Sequence, residues 1–133
     1  KKNIINKRSL MMQHCHKLTN KQCQFLSENV TNLTYLQTFD FRGNTLNKDA
    51  WKILSRGFRY LRNLKELILA KNKIDDKDCV YIGENIGNLI NLEKLHLQIN
   101  NIGDEGCISL SKGITNLVVS NTTDCFAYQR SYS

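Results

Sequence analysis

Three stretches of this chain repeat one template at one spacing: LQTFDFRGNTL (Leu36 to Leu46), LKELILAKNKI (Leu64 to Ile74) and LEKLHLQINNI (Leu92 to Ile102). Each reads LxxLxLxxNxL, with Phe or Ile standing for Leu, and each starts 28 residues after the one before. A fixed period of about 20–50 residues marks a solenoid, whose units bury their apolar sides only against their neighbours. Every unit must then have nearly the same shape, which leaves little freedom in the fold.

Within one unit, Leu64, Leu67 and Leu69 predict a short strand. Leu67 and Leu69 share a face, and Ile68 points to the other. Asn72 then turns the chain, where its amide can satisfy backbone groups left unpaired by a tight turn. Asn44, Asn72 and Asn100 form that column. The polar run Asp75-Asp76-Lys77-Asp78 follows, then Cys79, Ile82, Ile86 and Leu89 at helical steps. Acids in the first turn suit the helix dipole, and the apolar stripe supplies one buried face.

The period continues through the helices. Cys23, Trp51, Cys79 and Cys107 make one column; Leu26, Leu54, Ile82 and Leu110 another; Val30, Phe58, Ile86 and Ile114 a third; Leu33, Leu61, Leu89 and Leu117 a fourth. Together with NNIGDEGCISL (Asn100 to Leu110), this pattern resembles the leucine-rich repeat family, in its ribonuclease-inhibitor-like, 28-residue form. The resemblance spans Leu18 to Leu117. It implies an α/β horseshoe segment of about four repeats, with a parallel concave β-sheet and convex α-helices. It also implies a binding scaffold rather than an enzyme.

The expected organisation is a basic N-terminal segment (1–8), repeats over 9–119 and a non-repeat tail (120–133). The repeats divide as 9–35, 36–63, 64–91 and 92–119. In the first, Met11 and Leu18 fit the template, whereas Gln13 falls at a core Leu position and His16 at the Asn position. Thr19 or Asn20 is its expected helix cap. Val118 and Val119 suggest a last strand fragment. The tail NTTDCFAYQRSYS is compatible with a cap, a disordered tail or out-of-frame sequence. Solenoids need caps; a degenerate first repeat and the lack of an evident capping helix predict incomplete ends and an isolated chain that self-associates.

Composition narrows the setting. No stretch approaches the about 18 apolar residues of a membrane span. Six of the 19 basic residues, and none of the 12 acidic ones, fall in residues 1–27, so the repeats themselves are nearly neutral. Nucleic acid is therefore an unsuitable partner for the repeats, though open to the N-terminal segment. Helices about 8–10 Å apart hold Cys23, Cys79 and Cys107 too far apart for a disulfide, which needs Cα atoms within about 4.4–6.8 Å. They read as core thiols of a reducing, cytoplasmic setting. Sequons at Asn29, Asn32 and Asn121 arise readily in an Asn- and Thr-rich chain.

Catalytic, cofactor and metal sites are not expected. His14, Cys15, His16 and Cys23 lack metal-ligand spacing, and His96 lies on the opposite side of the unit from the helix cysteines. No glycine-rich phosphate loop occurs. On the second helix Lys48, Lys52, Arg56 and Arg59 form a basic stripe. The columns Glu28, Arg56, Glu84, Lys112 and Lys21, Asp49, Lys77, Glu105 alternate in sign, which predicts pairing between neighbouring helices on a solvated face.

That leaves the exposed strand face. Its rows are Gln37, Lys65, Glu93; Thr38, Glu66, Lys94; Asp40, Ile68, His96; and Arg42, Ala70, Gln98, at about 4.8 Å between strands. Lys65 is expected to meet Glu93, and Glu66 to meet Lys94. The candidate partner-binding residues are Thr38, Asp40, Arg42, Lys65, Glu66, Ile68, Glu93, Lys94, His96 and Gln98, with Ile68 as an exposed apolar anchor. The expected function is a non-catalytic protein–protein interaction scaffold. Alternatives are a regulator similar to the leucine-rich small-GTPase-activating proteins, or a structural subunit of a large assembly held by the basic segment. The helix phase has a direct test: Ile82→Ala should cost about 2–5 kcal/mol in chemical denaturation, and substitution of Lys77 well under about 1 kcal/mol.

Overall fold

A computed structural model describes residues 8–15 and 17–115. Within them four strands, β1 (Ser9–Met11), β2 (Thr38–Asp40), β3 (Glu66–Ile68) and β4 (Lys94–His96), alternate with four helices, α1 (Asn20–Asn29), α2 (Ala50–Phe58), α3 (Asp76–Ile86) and α4 (Asp104–Ile114). The strands lie in chain order in one parallel sheet. This is the expected solenoid of about four repeats. Residues 1–7, His16, Leu117, Val118, Val119 and the tail 120–133 lie outside the described residues.

The core is the set of 28-residue columns. Phe39, Leu67 and Leu95 and, one step on, Phe41, Leu69 and Leu97 are fully buried beneath the sheet. The helices answer with Leu54, Ile82 and Leu110 at 1% exposure or less. Leu26, Cys107 and Ile114 complete those columns on α1 and α4, but they are only half-buried. A solenoid unit is covered by its neighbours alone, so side chains on the outermost described helices lose half of their cover.

The turn column works as a ladder. Asn44, Asn72 and Asn100 are buried. Asn72 donates its side-chain amide to the carbonyls of Phe41 and Ala70, both at 3.1 Å. Its Oδ1 accepts the backbone N–H of Asn44 at 2.8 Å. Asn100 repeats this, donating to Leu69 and Leu97 and accepting the N–H of Asn72 at 2.9 Å. Each amide satisfies buried backbone groups in its own unit and in the one before it. The residue preceding each Asn is left-handed: Gly43, Lys71 and Ile99 have φ of +73°, +58° and +59°. Only Gly43 takes this conformation without steric cost.

Helix starts differ from unit to unit. Thr19 caps α1 and Asp75 caps α3, each in a reciprocal capping box with the residue three positions on, Gln22 or Asp78. At the start of α4 the Gly103 N–H is instead accepted by Asp76 of the preceding unit at 2.6 Å. The helices α3 and α4 approach closely because Gly83 and Gly113 face each other; a Cβ at either would collide with the other helix's backbone.

The first repeat departs from the expected register. β1 pairs Ser9 with Thr38, Leu10 with Phe39 and Met11 with Asp40, a step of 29 rather than 28. Leu10 and Met12 therefore pack against the core, while Met11 is 58% exposed. A one-residue slip moves every side chain of a strand to the other face. Here it turns two apolar residues, half-buried, onto the core and frees Gln13, which strict periodicity would have buried. Cys15, not His16, takes the Asn place: its N–H bonds Asn44 Oδ1 at 2.9 Å, and His14 before it has φ +53°. The 28-residue step returns at Leu18, which bridges Leu46, so the extra residue is absorbed in the turn.

Asn72→Ala removes three buried hydrogen bonds. The Phe41 carbonyl keeps the Asn44 amide and the Ala70 carbonyl keeps the Gly43 N–H, so the Asn44 N–H alone loses its partner. The change should cost about 1–3 kcal/mol in urea unfolding. Asn91→Ala removes a single exposed bond, to the Arg62 carbonyl at 2.8 Å, and should cost less than about 1 kcal/mol.

Candidate functional site

The rows of the concave face follow from the sheet register. Thr38, Glu66 and Lys94 stand side by side, as do Asp40, Ile68 and His96. Lys65, Glu93 and Lys94 are exposed, and Thr38, Arg42, Glu66, His96 and Gln98 are half-buried. Ile68 differs from expectation. It is 8% exposed, with Asp40 and His96 beside it in its row, and so offers no open apolar anchor. Side chains at about 4.8 Å strand spacing shield a branched residue standing among longer ones.

Asp40 is 1% exposed and belongs to the site's framework. Arg42 donates from Nε to both carboxylate oxygens, at 3.0 and 3.1 Å, and from a terminal nitrogen at 2.7 Å. The Arg42 backbone N–H adds 3.2 Å, and Gln13 Nε2 donates at 2.6 Å. Burial by itself would push the Asp40 carboxyl up, but these bonds together outweigh it and hold it below the usual carboxylate range. Asp40 in turn holds the Arg42 guanidinium above its ordinary value. Gln13 was missed as a site residue because the template placed it in the core. The alternation of Leu10 and Met12 with Met11 and Gln13 was the available signal.

Across the sheet, Glu66 Oε2 lies 2.8 Å from His96 Nε2. The pair is diagonal: Glu66 opposes Lys94 in register but bonds His96, one row on. Diagonal neighbours on adjacent strands are within reach of long side chains. Among the described residues Asp40–Arg42 is the ion pair formed, and Glu66–His96 is a carboxylate–imidazole hydrogen bond. The expected Lys65–Glu93 and Glu66–Lys94 pairs are not made there, and neither are the sign-alternating pairs of the helix columns. Glu28 takes Gln24 Nε2 at 2.6 Å instead. On the basic stripe, the Lys52 ammonium sits 5.7 Å from the centre of the Tyr81 ring, and Arg59 donates to Asn85 Oδ1 at 2.8 and 3.1 Å. Half of that stripe is thus used in joining α2 to α3.

His14 and Cys15 sit in the first turn, whereas Cys23 is fully buried on the inner face of α1. Among the described residues no group of three or more His, Cys, Asp or Glu converges as a metal site would require. Burial raises the Cys79 thiol strongly, with Asp76 and Asp78 adding to it, so it stays protonated and unreactive. Asp78 is pushed up to about 6, first by burial and then by the neighbouring Asp75 and Asp49 carboxylates.

Two stretches, residues 60–83 and 88–111, match a family model described as Leucine Rich repeat. No curated protein matches the chain. Among solved structures, "Leiomodin-1 Actin-Binding Site 2" aligns with a TM-score of 0.69 at 13% identity, covering 98% of this chain and 87% of that one. At that identity the likeness establishes the fold. An internalin from Listeria monocytogenes shares 27% identity at a TM-score of 0.42, over 83% of this chain and 34% of that one.

The two shifted carboxyls predict opposite pH effects. Asp78 binds its proton more tightly folded than unfolded, so stability should rise as pH falls from about 8 to about 5. Asp40 binds its proton less tightly when folded, so its contribution is present above the unfolded carboxyl range and lost as pH falls through its depressed value. Urea unfolding across pH checks both signs: Asp78→Asn should flatten the change above about pH 5, and Asp40→Asn the fall below about pH 4.

Proposed function

Because this chain is a leucine-rich repeat protein, we propose that it serves as a non-catalytic interaction module whose concave sheet receives a protein partner. The observation that carries this reading is the ordered polar layer of that face. Asp40 is held by five hydrogen bonds from Arg42 and Gln13, and Glu66 by His96. Side chains already fixed lose little conformational freedom on binding. Around them Lys65, Glu93 and Lys94 supply exposed charges of both signs, which suits a mixed polar protein surface better than a phosphate backbone. Arg42 and His96 replace Ile68 as the central contacts of the proposed site. No cofactor enters this reading, and its setting is the cytoplasm.

Affinity capture from the native source, with actin as a defined first probe because the structural neighbour carries an actin-binding site, tests the proposal. Lys94→Glu combined with Glu93→Lys should abolish capture of the partner at least tenfold while leaving the melting temperature unchanged. If capture survives that variant and is lost when Lys1, Lys2, Lys7 and Arg8 are changed to Ser, the function belongs to the basic segment and the concave reading is wrong.

A further inference from the structure

Arg42 is fixed on one side and open on the other. Its Nε and Nη2 face the Asp40 carboxylate, with bonds of 3.0, 3.1 and 2.7 Å. Asp40 is 1% exposed and is itself held by Gln13. A guanidinium carries five N–H groups in one rigid plane. Asp40 takes the Nε–H and one N–H of Nη2, which leaves both N–H groups of Nη1 and the outer one of Nη2. That free edge is open: the Arg42 side chain is 43% exposed, and the buried side-chain polar atom left without a partner among the described residues is Asn20 Oδ1.

The surroundings of the free edge favour an anion. Two residues beyond the paired strand positions, the register sets Arg42 between Gln13 and Ala70, with Gln98 on the far side of Ala70. Ala70 has no polar side-chain atom to compete for the guanidinium, and the Gln13 amide already donates to Asp40. On the rest of the face, Asp40 is neutralised by Arg42, and Glu66 is bonded to His96. Lys65, Lys71 and Lys94 are exposed and make no ion pair among the described residues, against Glu93 as the one unpaired acid of the face.

We propose that the free edge of Arg42 receives a carboxylate of the partner, supplied by an aspartate or glutamate side chain, with Asp40 and Gln13 as positioning residues. This contact lies within the concave face proposed to receive the partner and rests on that reading. Two parallel N–H donors in one plane match the two oxygens of a carboxylate. The guanidinium is already held in place, so little side-chain freedom is lost on binding. A phosphate dianion suits the site less well. Besides Asp40, the Glu66 carboxylate also acts on this guanidinium, and its repulsion grows with the charge of the ligand.

Fluorescence anisotropy of the full chain with labelled deca-glutamate and deca-lysine peptides tests this. Deca-glutamate should bind more tightly than deca-lysine. The double variant Asp40→Asn with Arg42→Gln removes the guanidinium without changing net charge or leaving a buried charge unpaired. It should keep the circular dichroism of the wild type and bind deca-glutamate about tenfold more weakly, as the loss of a charge-assisted hydrogen bond requires. Unchanged affinity in the folded double variant, as expected if the basic segment alone held the peptide, overturns the proposal. A preference for deca-lysine does so too. A second measurement needs no substitution: adding deca-glutamate to the wild-type chain should shift the backbone amide resonances of Arg42, Gly43 and Lys71, and shifts confined to other residues overturn the proposal. Capture of the native partner through Glu93 and Lys94 reads the concave face separately. If that capture holds while the peptide fails, the carboxylate contact alone falls.

Discussion

Every turn of the sheet depends on one buried amide. A parallel strand that turns sharply into a connecting segment leaves carbonyls and N–H groups facing the interior, where an unpaired polar group is costly. An asparagine side chain carries both donors and acceptors. Here each Asn spends its donors on carbonyls of its own unit and the preceding one, and its acceptor on the preceding unit's N–H. The repeats are thereby joined by polar bonds as well as by packing. The ladder runs in one direction and ends at Cys15, which supplies a backbone N–H to Asn44 Oδ1.

With the sheet joined uniformly, the helix layer can solve each joint separately. At the first joint Gly57 allows α2 close to the backbone at Ser27; at the second, Ser55, Asn85 and Arg59 form a polar network; at the third, Gly83 and Gly113 permit the closest approach. The aromatic residues gather in the second unit, where Phe41 meets Trp51 edge-on and Phe39 meets Phe58. These are different ways of packing neighbouring helices over one uniform sheet: close approach through glycine at the first and third joints, side-chain hydrogen bonds at the second. The concave face shows the complementary behaviour. Its residues bind each other along and across strands, which turns isolated charges into a fixed polar surface.

The columns at 28 residues were enough to determine the strands, the helices, their order and nearly all of the core, because burial in a solenoid demands the same apolar positions in each unit. The asparagine column was legible for a related reason: a turn with the same unpaired backbone groups needs the same amide each time. Three features were decided only in three dimensions. The first strand slipped by one residue, since turning Leu10 and Met12 onto the core outweighs keeping the period and only packing against β2 exposes that choice. Ile68 was covered, because exposure on a sheet depends on the side chains of neighbouring strands. The polar side chains paired as Asp40 with Arg42 and Glu66 with His96, within a strand and diagonally between strands, rather than along rows and helix columns. Sequence spacing assigns a residue to a row, but hydrogen-bond geometry and desolvation across neighbouring rows determine which partner it takes.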